Sequence, residues 1–376
     1  MNWAVVMAGG RGTRFWPESR NRRPKPFLKL LGRRSLLEET VDRLSPLFPP
    51  ERILVVLQAD LAGEARRILK RIPPGNILGE PLVKNTAPCC VWAASWIEAH
   101  DPAAKFVFLP ADQHIAPKAL FQKTLRTAFD LADERPVLLA MKPVSPHTGF
   151  GYLEMSRWKK KINGISCFTV LRFHEKPGRA KAQAFLKRGN FFWNGGTFIW
   201  RMDAFKAAVR KYAPKIYRAW DGLSLSPQPS PPRPPKDGSA AAERGQGKGE
   251  GVYFRRLKRI YEKLPSISLD YAVMEKLKNV HGLLAPFQWN DLGGWEGLAE
   301  FWPKDSAANR VQGKALLVKS ERNIVKAKER LVALLGVHDL LVVDTPDALL
   351  IAPRSRVEEI REVVRELERR KEKKYL

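Results

Sequence analysis

The sequence predicts an α/β fold: a doubly wound, mostly parallel sheet followed by a small C-terminal β-rich domain. Three observations predict it. Short apolar runs alternate with helical periods through the first half of the chain. A proline- and glycine-rich stretch then interrupts the pattern, and short β-like runs recur after Gly313 with little helix between them. Strand–helix alternation is the pattern of a parallel sheet covered by helices on both faces. Ligands of such sheets sit beyond the carboxyl ends of the strands.

Taken in order, Ala4–Met7 reads as a buried strand. Ser35 caps a helix with Glu38 in the capping-box position and Leu37, Val41 and Leu44 on one face. Ile53–Leu57 is a second strand and Leu61–Ile72 a second helix; Thr86–His100 is apolar enough for a buried helix. Phe106–Leu109 is a strand, Phe121–Leu131 a helix and Val137–Leu139 a strand. Ser226 to Glu250 has no apolar face to bury and reads as a disordered insert. A helical stretch near Asp270–Leu277 follows, then a strand Leu283–Trp289 running into Asn290-Asp291. The late β-like runs are Ala315–Val318, Leu331–Leu335, Leu340–Val343 and Ala348–Ile351, and Val357–Lys374 closes the chain as a charged amphipathic helix, most simply a solvated terminal element. The expected domains are residues 1–300 and 301–376.

Composition narrows the chemistry. The 376 residues carry a net charge of +27, which implies anionic partners: nucleotides, sugar phosphates, nucleic acid or an acidic membrane surface. Cys89, Cys90 and Cys167 form neither a disulfide framework nor a metal spacing. The N-terminus enters Trp3-Ala4-Val5-Val6 without a basic leader, and no stretch of about 18 apolar residues occurs. A cytoplasmic, soluble protein is expected, with no membrane partner.

The most informative stretch is VVMAGGRGTRFWPESRNRRPKPF, Val5 to Phe27. Gly9, Gly10 and Gly12, with Thr13, follow a strand without completing a P-loop or a Rossmann fingerprint. Glycines let backbone amides face phosphate oxygens. Arg14 can fork two such oxygens, and Lys25 adds a compact charge on a proline-stiffened segment. A strand-to-helix turn with surface arginines accounts for the glycines equally well when they are taken alone.

The whole string, GGRGTRFWPESRNRRPKPF, resembles the signature of the mannose-1-phosphate guanylyltransferases, or GDP-mannose pyrophosphorylases. EPLVKNTAPC, FLPADQHI, HTGFGYLE, FHEKPGRA, FFWNGGTFIW, SLDYAVMEK and WNDLGGW follow in that family's order, with VVDTPDALLIA after them. Together they span nearly the whole chain apart from the insert. Four positions depart from the pattern: Pro26 for a glutamine, Lys84 for an arginine, Gln113 for a histidine and Gly195 for a serine.

The resemblance implies a Rossmann-like nucleotidyltransferase domain over 1–300 and the reaction GTP plus mannose 1-phosphate to GDP-mannose plus pyrophosphate. It implies Mg²⁺ held by Asp112 and Asp291, and Arg14 and Lys25 on the triphosphate. Gly9, Gly10, Gly12 and Thr13 would line the phosphates, and Glu80, Asn85 and Thr86 the guanine and ribose. Glu175, Gly149 and Asn194 would contact the hexose, and Lys176 the sugar phosphate. Such chemistry needs charge and positioning rather than a nucleophile. Accordingly no G-x-S-x-G, H-E-x-x-H or Cys-His pair is expected. The family's isomerase domain is not recognised, so no isomerase activity is expected.

Three alternatives stay open: another sugar 1-phosphate as substrate, a non-catalytic protein of the same fold, and a nucleic-acid binder suggested by the charge. TRFWPESR favours the mannose type over the first, intact Arg14, Lys25, Asp112 and Asp291 argue against the second, and no nucleic-acid module supports the third. A homodimer is compatible with the sequence, which does not fix the oligomeric state.

Overall fold

The computed structural model describes residues 1–224 and 248–376. Most of the insert expected at 226–250 lies outside the described residues. Its last three positions open a helix, Lys248–Lys263, that the sequence reading does not contain.

The strands are β1 Asn2–Met7, β2 Ile53–Gln58, β3 Ile77–Glu80, β4 Lys105–Pro110 and β5 His114–Ala116. There follow β6 Val137–Met141, β7 Tyr152–Ile162, β8 Ile165–His174, β9 Phe191–Arg201 and β10 Val280–Leu284. The last five are β11 Gln288–Asn290, β12 Arg310–Val318, β13 Ile324–Leu335, β14 Leu340–Asp344 and β15 Leu349–Pro353.

Contacts divide the chain into two compact units, each discontinuous in sequence. The first comprises Met1–Gly9, Val41–Pro110 and Ala116–Gln288; the second comprises Gly10–Thr40, Ala111–Ile115 and Trp289–Leu376.

The first unit is built on a nine-stranded sheet of order β3-β2-β1-β4-β9-β6-β10-β8-β7. From β3 to β4 every pairing is parallel, as the strand–helix alternation predicts. Beyond β4 the sheet is mixed: β6 and β10 are parallel, while β9 runs antiparallel to both β4 and β6. Between Leu139 and Leu283 no strand is predicted, yet β7, β8 and β9 form there as long antiparallel partners. The apolar period is blurred in β8 by a broken alternation and between β7 and β8 by irregular register around Met155. The predicted strand Leu283–Trp289 is two strands. Pro286, which has no N–H to donate, falls between β10 and β11, and β11 pairs with β5 in a separate ribbon.

Helix Thr86–His100 packs against this sheet with Ala87 through Ile97 all buried, which explains why its sequence is apolar all round. Its residues join Trp3, Phe106, Phe108, Trp200 and Phe205 in one core. The second helix is shorter than expected, Ala62–Ile68.

The second unit contains the four-stranded sheet β12-β13-β14-β15. Its first two pairings are parallel and the last antiparallel. Asn309 and Asn323 are fully enclosed and satisfied. Asn309 Oδ1 accepts from Asn323 N at 2.9 Å, and Asn323 Oδ1 accepts from Leu340 N at 3.0 Å. The capping box forms as predicted: Glu38 Oε2 accepts from Ser35 N at 2.8 Å, and Ser35 Oγ accepts from Glu38 N at 3.3 Å.

The terminal helix, expected to be solvated, is instead packed. Helix Ile360–Arg369 buries Ile360 and Val364 in a cluster with Phe15, Trp16, Leu292 and Trp295. The amphipathic pattern shows the stripe in the sequence, but not the partners Phe15, Trp16, Leu292 and Trp295 that cover it.

Candidate active site

The glycine turn leads from β1 into a 3₁₀ turn at Thr13–Phe15. Gly10 and Gly12 adopt φ of 99° and 63°, the left-handed region that glycine enters freely. Gly12 is constrained in a second way. A Cβ there would lie 2.3 Å from Lys25 Cβ, so the turn closes directly on the lysine. Pro24 and Pro26 flank Lys25, and Lys25–Phe27 forms a 3₁₀ turn that accepts proline at its start. Pro26 therefore fits its departure from the family pattern.

Lys25 Nζ donates to Asp112 Oδ2 at 2.8 Å and to the Asp291 carbonyl at 2.6 Å. Its side chain is only 10% exposed. One ammonium thus draws together two aspartates far apart in sequence, both predicted as site residues. Around them, Gln113 is buried and its Oε1 accepts from Trp289 Nε1 at 3.0 Å, tying the residue after Asp112 to the start of the Asp291 segment. Gly293 leaves room for the Asp291 carboxylate, since a Cβ would stand 2.9 Å from Oδ2.

Arg14 Nε pairs with Glu358 at 2.9 Å, and Arg11 with Glu368 at 2.6 Å. Both acidic partners come from the C-terminal segment. Trp16 Nε1 also donates to the Tyr375 carbonyl at 2.9 Å.

The first unit gathers the sugar-phosphate candidates. Glu175 follows β8, and its carboxylate pairs with Lys176 Nζ at 2.8 Å. Glu175 is enclosed while Lys176 is 54% exposed. Lys176 has φ 44°, an unusual conformation for a residue with a side chain. The Glu175 N–H donates to Glu275 Oε1 at 2.8 Å. Asn194, on β9, donates from Nδ2 to Asp270 Oδ1 at 2.9 Å. Burial first, and then the Glu175 charge, push the Asp270 carboxyl up to about 6. Gly149 accepts no side chain without displacing His147, whose ring stacks on Phe150 at 4.1 Å.

Two glycines explain themselves here. Gly151 lies where a Cβ would meet Glu175 Oε2 at 2.6 Å, so it makes space for that carboxylate. Gly195 replaces the family's serine because a Cβ would meet the Met141 methyl at 2.5 Å and the Leu139 carbonyl at 3.0 Å.

Glu80, Asn85 and Thr86 are already engaged with protein. Glu80 is buried and accepts from the Tyr261 hydroxyl at 3.1 Å. Burial drives its carboxyl up to about 8, only partly offset by that hydrogen bond. Asn85 caps helix Thr86–His100 by accepting from Thr86 N at 2.8 Å, and Thr86 Oγ1 accepts from Leu269 N at 2.9 Å.

Asp270, Glu275, Gly151 and Gly293 are the residues that motif reading does not single out as site residues. All four lie inside motifs quoted above, in SLDYAVMEK, HTGFGYLE and WNDLGGW, which flag the segments without saying what each residue touches. A Cys-His approach, not expected from the sequence, also occurs: Cys167 Sγ lies 3.8 Å from His281 Nδ1. Burial raises that thiol and lowers that imidazole, the reverse of an activated pair. Cys89, Cys90 and Cys167 are all free and buried.

In the second unit a glycine turn closes on a buried lysine with aspartates beside it; in the first, Glu175, Lys176 and Asn194 form a polar cluster. The chain belongs to the nucleotidyl transferase family, whose profile matches residues 3–307. The profile of the MannoseP isomerase/GMP-like beta-helix domain matches residues 313–367. More particularly, the chain is 33% identical to the mannose-1-phosphate guanylyltransferase of Klebsiella pneumoniae, over 99% of this chain and 75% of that one. It is 32% identical to the alginate biosynthesis protein AlgA of Pseudomonas aeruginosa, over 97% and 72%. It also superimposes on the crystal structure of a protein from Thermus thermophilus named mannose-1-phosphate geranyltransferase. That match has a TM-score of 0.82 and 32% identity, covering 98% and 99% of the two chains. Among the described residues no helix is long and apolar enough to cross a membrane.

Proposed function

We propose that this protein transfers the guanylyl group of GTP to mannose 1-phosphate and releases pyrophosphate. The observation that carries the reading is Lys25, buried beside the glycine turn and fixed by Asp112 and the Asp291 carbonyl, in a chain similar to guanylyltransferases along nearly its whole length.

A phosphate oxygen of mannose 1-phosphate attacks the α-phosphorus of GTP. The bond from that phosphorus to the bridging oxygen breaks, and pyrophosphate leaves with the electron pair. Negative charge grows on the leaving group, so a cation already held in place stabilises it without reorganising. Lys25 has that character. Arg14 forks the triphosphate, exchanging its pairing with Glu358 for phosphate oxygens. The amides of Gly9, Gly10, Gly12 and Thr13 face the same phosphates. Glu175 and Asn194, beside Gly149, orient the hexose, and Lys176 neutralises the sugar phosphate. Asn85 and Thr86 bound the guanine and ribose side, with Glu80 enclosed behind them.

Asp112 and Asp291 suit Mg²⁺. They are hard oxygen donors, and Lys25 bonds the Asp112 carboxylate and the Asp291 backbone carbonyl. Two carboxylates would leave the remaining positions to phosphate oxygens and water, as Mg²⁺ prefers. When bound, the ion supplies positive charge that offsets both the carboxylates and the triphosphate.

The test is pyrophosphate release over a grid of nucleoside triphosphates and hexose 1-phosphates. GTP with mannose 1-phosphate should give the highest kcat/KM. A clear preference for glucose 1-phosphate with UTP or dTTP would overturn the assignment.

A further inference from the structure

The segment Ile267–Lys276 bonds to both sets of substrate candidates in the first unit. Its backbone meets helix Thr86–His100: the Ile267 carbonyl accepts from Ala87 N at 3.1 Å, and Leu269 N donates to Thr86 Oγ1 at 2.9 Å. Its carboxylates meet the sugar-phosphate candidates: Asp270 accepts from Asn194, and Glu275 accepts from the Glu175 backbone N–H. The segment is itself fixed. Ser268 caps the short helix Leu269–Ala272, and Leu269, Ala272, Val273 and Met274 are buried in the core.

Asp270 is buried and faces the Glu175 charge, so its carboxylate stands there at a cost that a neutral residue would avoid. Glu275 spends its carboxylate on a backbone N–H rather than on a side chain. What the arrangement provides is backbone control. The bond to Glu175 N–H falls immediately before Lys176, whose left-handed backbone needs an external restraint to persist. Glu175 and Lys176 leave that turn as an ion pair with one side chain enclosed and the other reaching solvent.

We propose that Glu275 is a positioning residue for the sugar phosphate, holding the Glu175–Lys176 turn in its binding conformation, while Asp270 does the same for Asn194. The inference rests on the roles given above to Glu175, Lys176 and Asn194. One anchored segment then sets the hexose and phosphate contacts together, and their alignment survives only while both acceptors are in place.

The experiment uses the full chain with Glu275→Ala and Glu275→Gln. Initial rates of pyrophosphate release are measured with both substrates varied, alongside melting temperatures. Glu275→Ala should raise KM for mannose 1-phosphate about tenfold or more and leave KM for GTP within about twofold. Glu275→Gln keeps the Oε1 acceptor and should return KM to within about threefold of wild type. If Glu275→Ala melts below the assay temperature, Glu275→Asp, which withdraws the acceptor by one methylene, carries the same comparison. An unchanged KM for mannose 1-phosphate, an equal rise in KM for GTP, or no rescue by glutamine would overturn the proposal. A wild-type protein inactive on mannose 1-phosphate would instead overturn the functional reading. Titration calorimetry with a panel of hexose 1-phosphates then decides the positioning role. About tenfold weaker binding by Glu275→Ala supports it, and equal binding, or none by wild type, overturns it.

Discussion

Lys25 is held on two sides, by the Asp112 carboxylate and the Asp291 carbonyl, with a tenth of its side chain exposed. Lys176 has its neighbour Glu175 as its ion-pair partner, a left-handed backbone beneath it and more than half of its side chain in solvent. The two lysines come from motifs that look alike in the sequence, KP in each case. The difference teaches how one charge can serve two purposes. An enclosed, pre-oriented ammonium acts on charge that develops during reaction, because it needs no rearrangement when that charge appears. An exposed one on a restrained turn is free to meet a substrate as it arrives. Its partner Glu175 is enclosed, so the pair is solvated on the lysine side alone.

The comparison can be broken at several points. The largest effect should come from metal removal. Chelation with EDTA should abolish turnover and Mg²⁺ should restore it, and Asp291→Asn should lose most of kcat while its circular dichroism stays native. Full activity in EDTA would detach Asp112 and Asp291 from any metal and leave them as supports for Lys25.

Gly12→Ala comes next. The added methyl has no room beside Lys25 and needs a left-handed backbone, so it must displace the lysine. A displacement near 1 Å costs roughly 10²-fold in rate, and kcat should fall by about that factor. Gly9→Ala, where a Cβ would meet nothing within 4 Å, is the control and should cost far less.

A smaller effect separates Glu80 from Glu175. Glu80 titrates near 8 in the folded chain, against 4.5 ordinarily. Between those values the folded protein keeps a proton that the unfolded chain releases, so stability from this group falls as pH rises through the window. Glu80→Gln keeps the acceptor for Tyr261 and does not ionise. Its unfolding free energy should match wild type near pH 5 and exceed it by about 2–4 kcal/mol at pH 9, as followed by urea denaturation. Equal stability at both pH values would mean that Glu80 is hydrated.

Much of this was legible in the sequence. The parallel half of the sheet announces itself in apolar runs such as Ala4–Met7 and Phe106–Leu109, and helix Thr86–His100 has the predicted bounds. Motif order put Lys25 and Asp112 forward as candidates, and the two side chains meet at 2.8 Å. What the sequence hides depends on long-range contact. Strand β8 breaks its alternation near its end, so its period is weak, and Pro286 divides what looks like one strand. The terminal helix shows its amphipathic pattern, but not that Ile360 and Val364 bury beside Phe15 and Trp16. The bond that Tyr261, 181 positions away, donates to Glu80 has no sign in the sequence. Asp270 and Glu275 act through other residues, and spacing alone gives no sign of what they hold.

The most direct test of the division between the two lysines is steady-state kinetics of Lys25→Ala and Lys176→Ala, with GTP and mannose 1-phosphate varied independently. Lys25→Ala should lower kcat by roughly 10²-fold or more with little change in KM for mannose 1-phosphate. Lys176→Ala should raise that KM about tenfold and keep kcat within about threefold. Two variants that altered only KM for GTP would contradict the account.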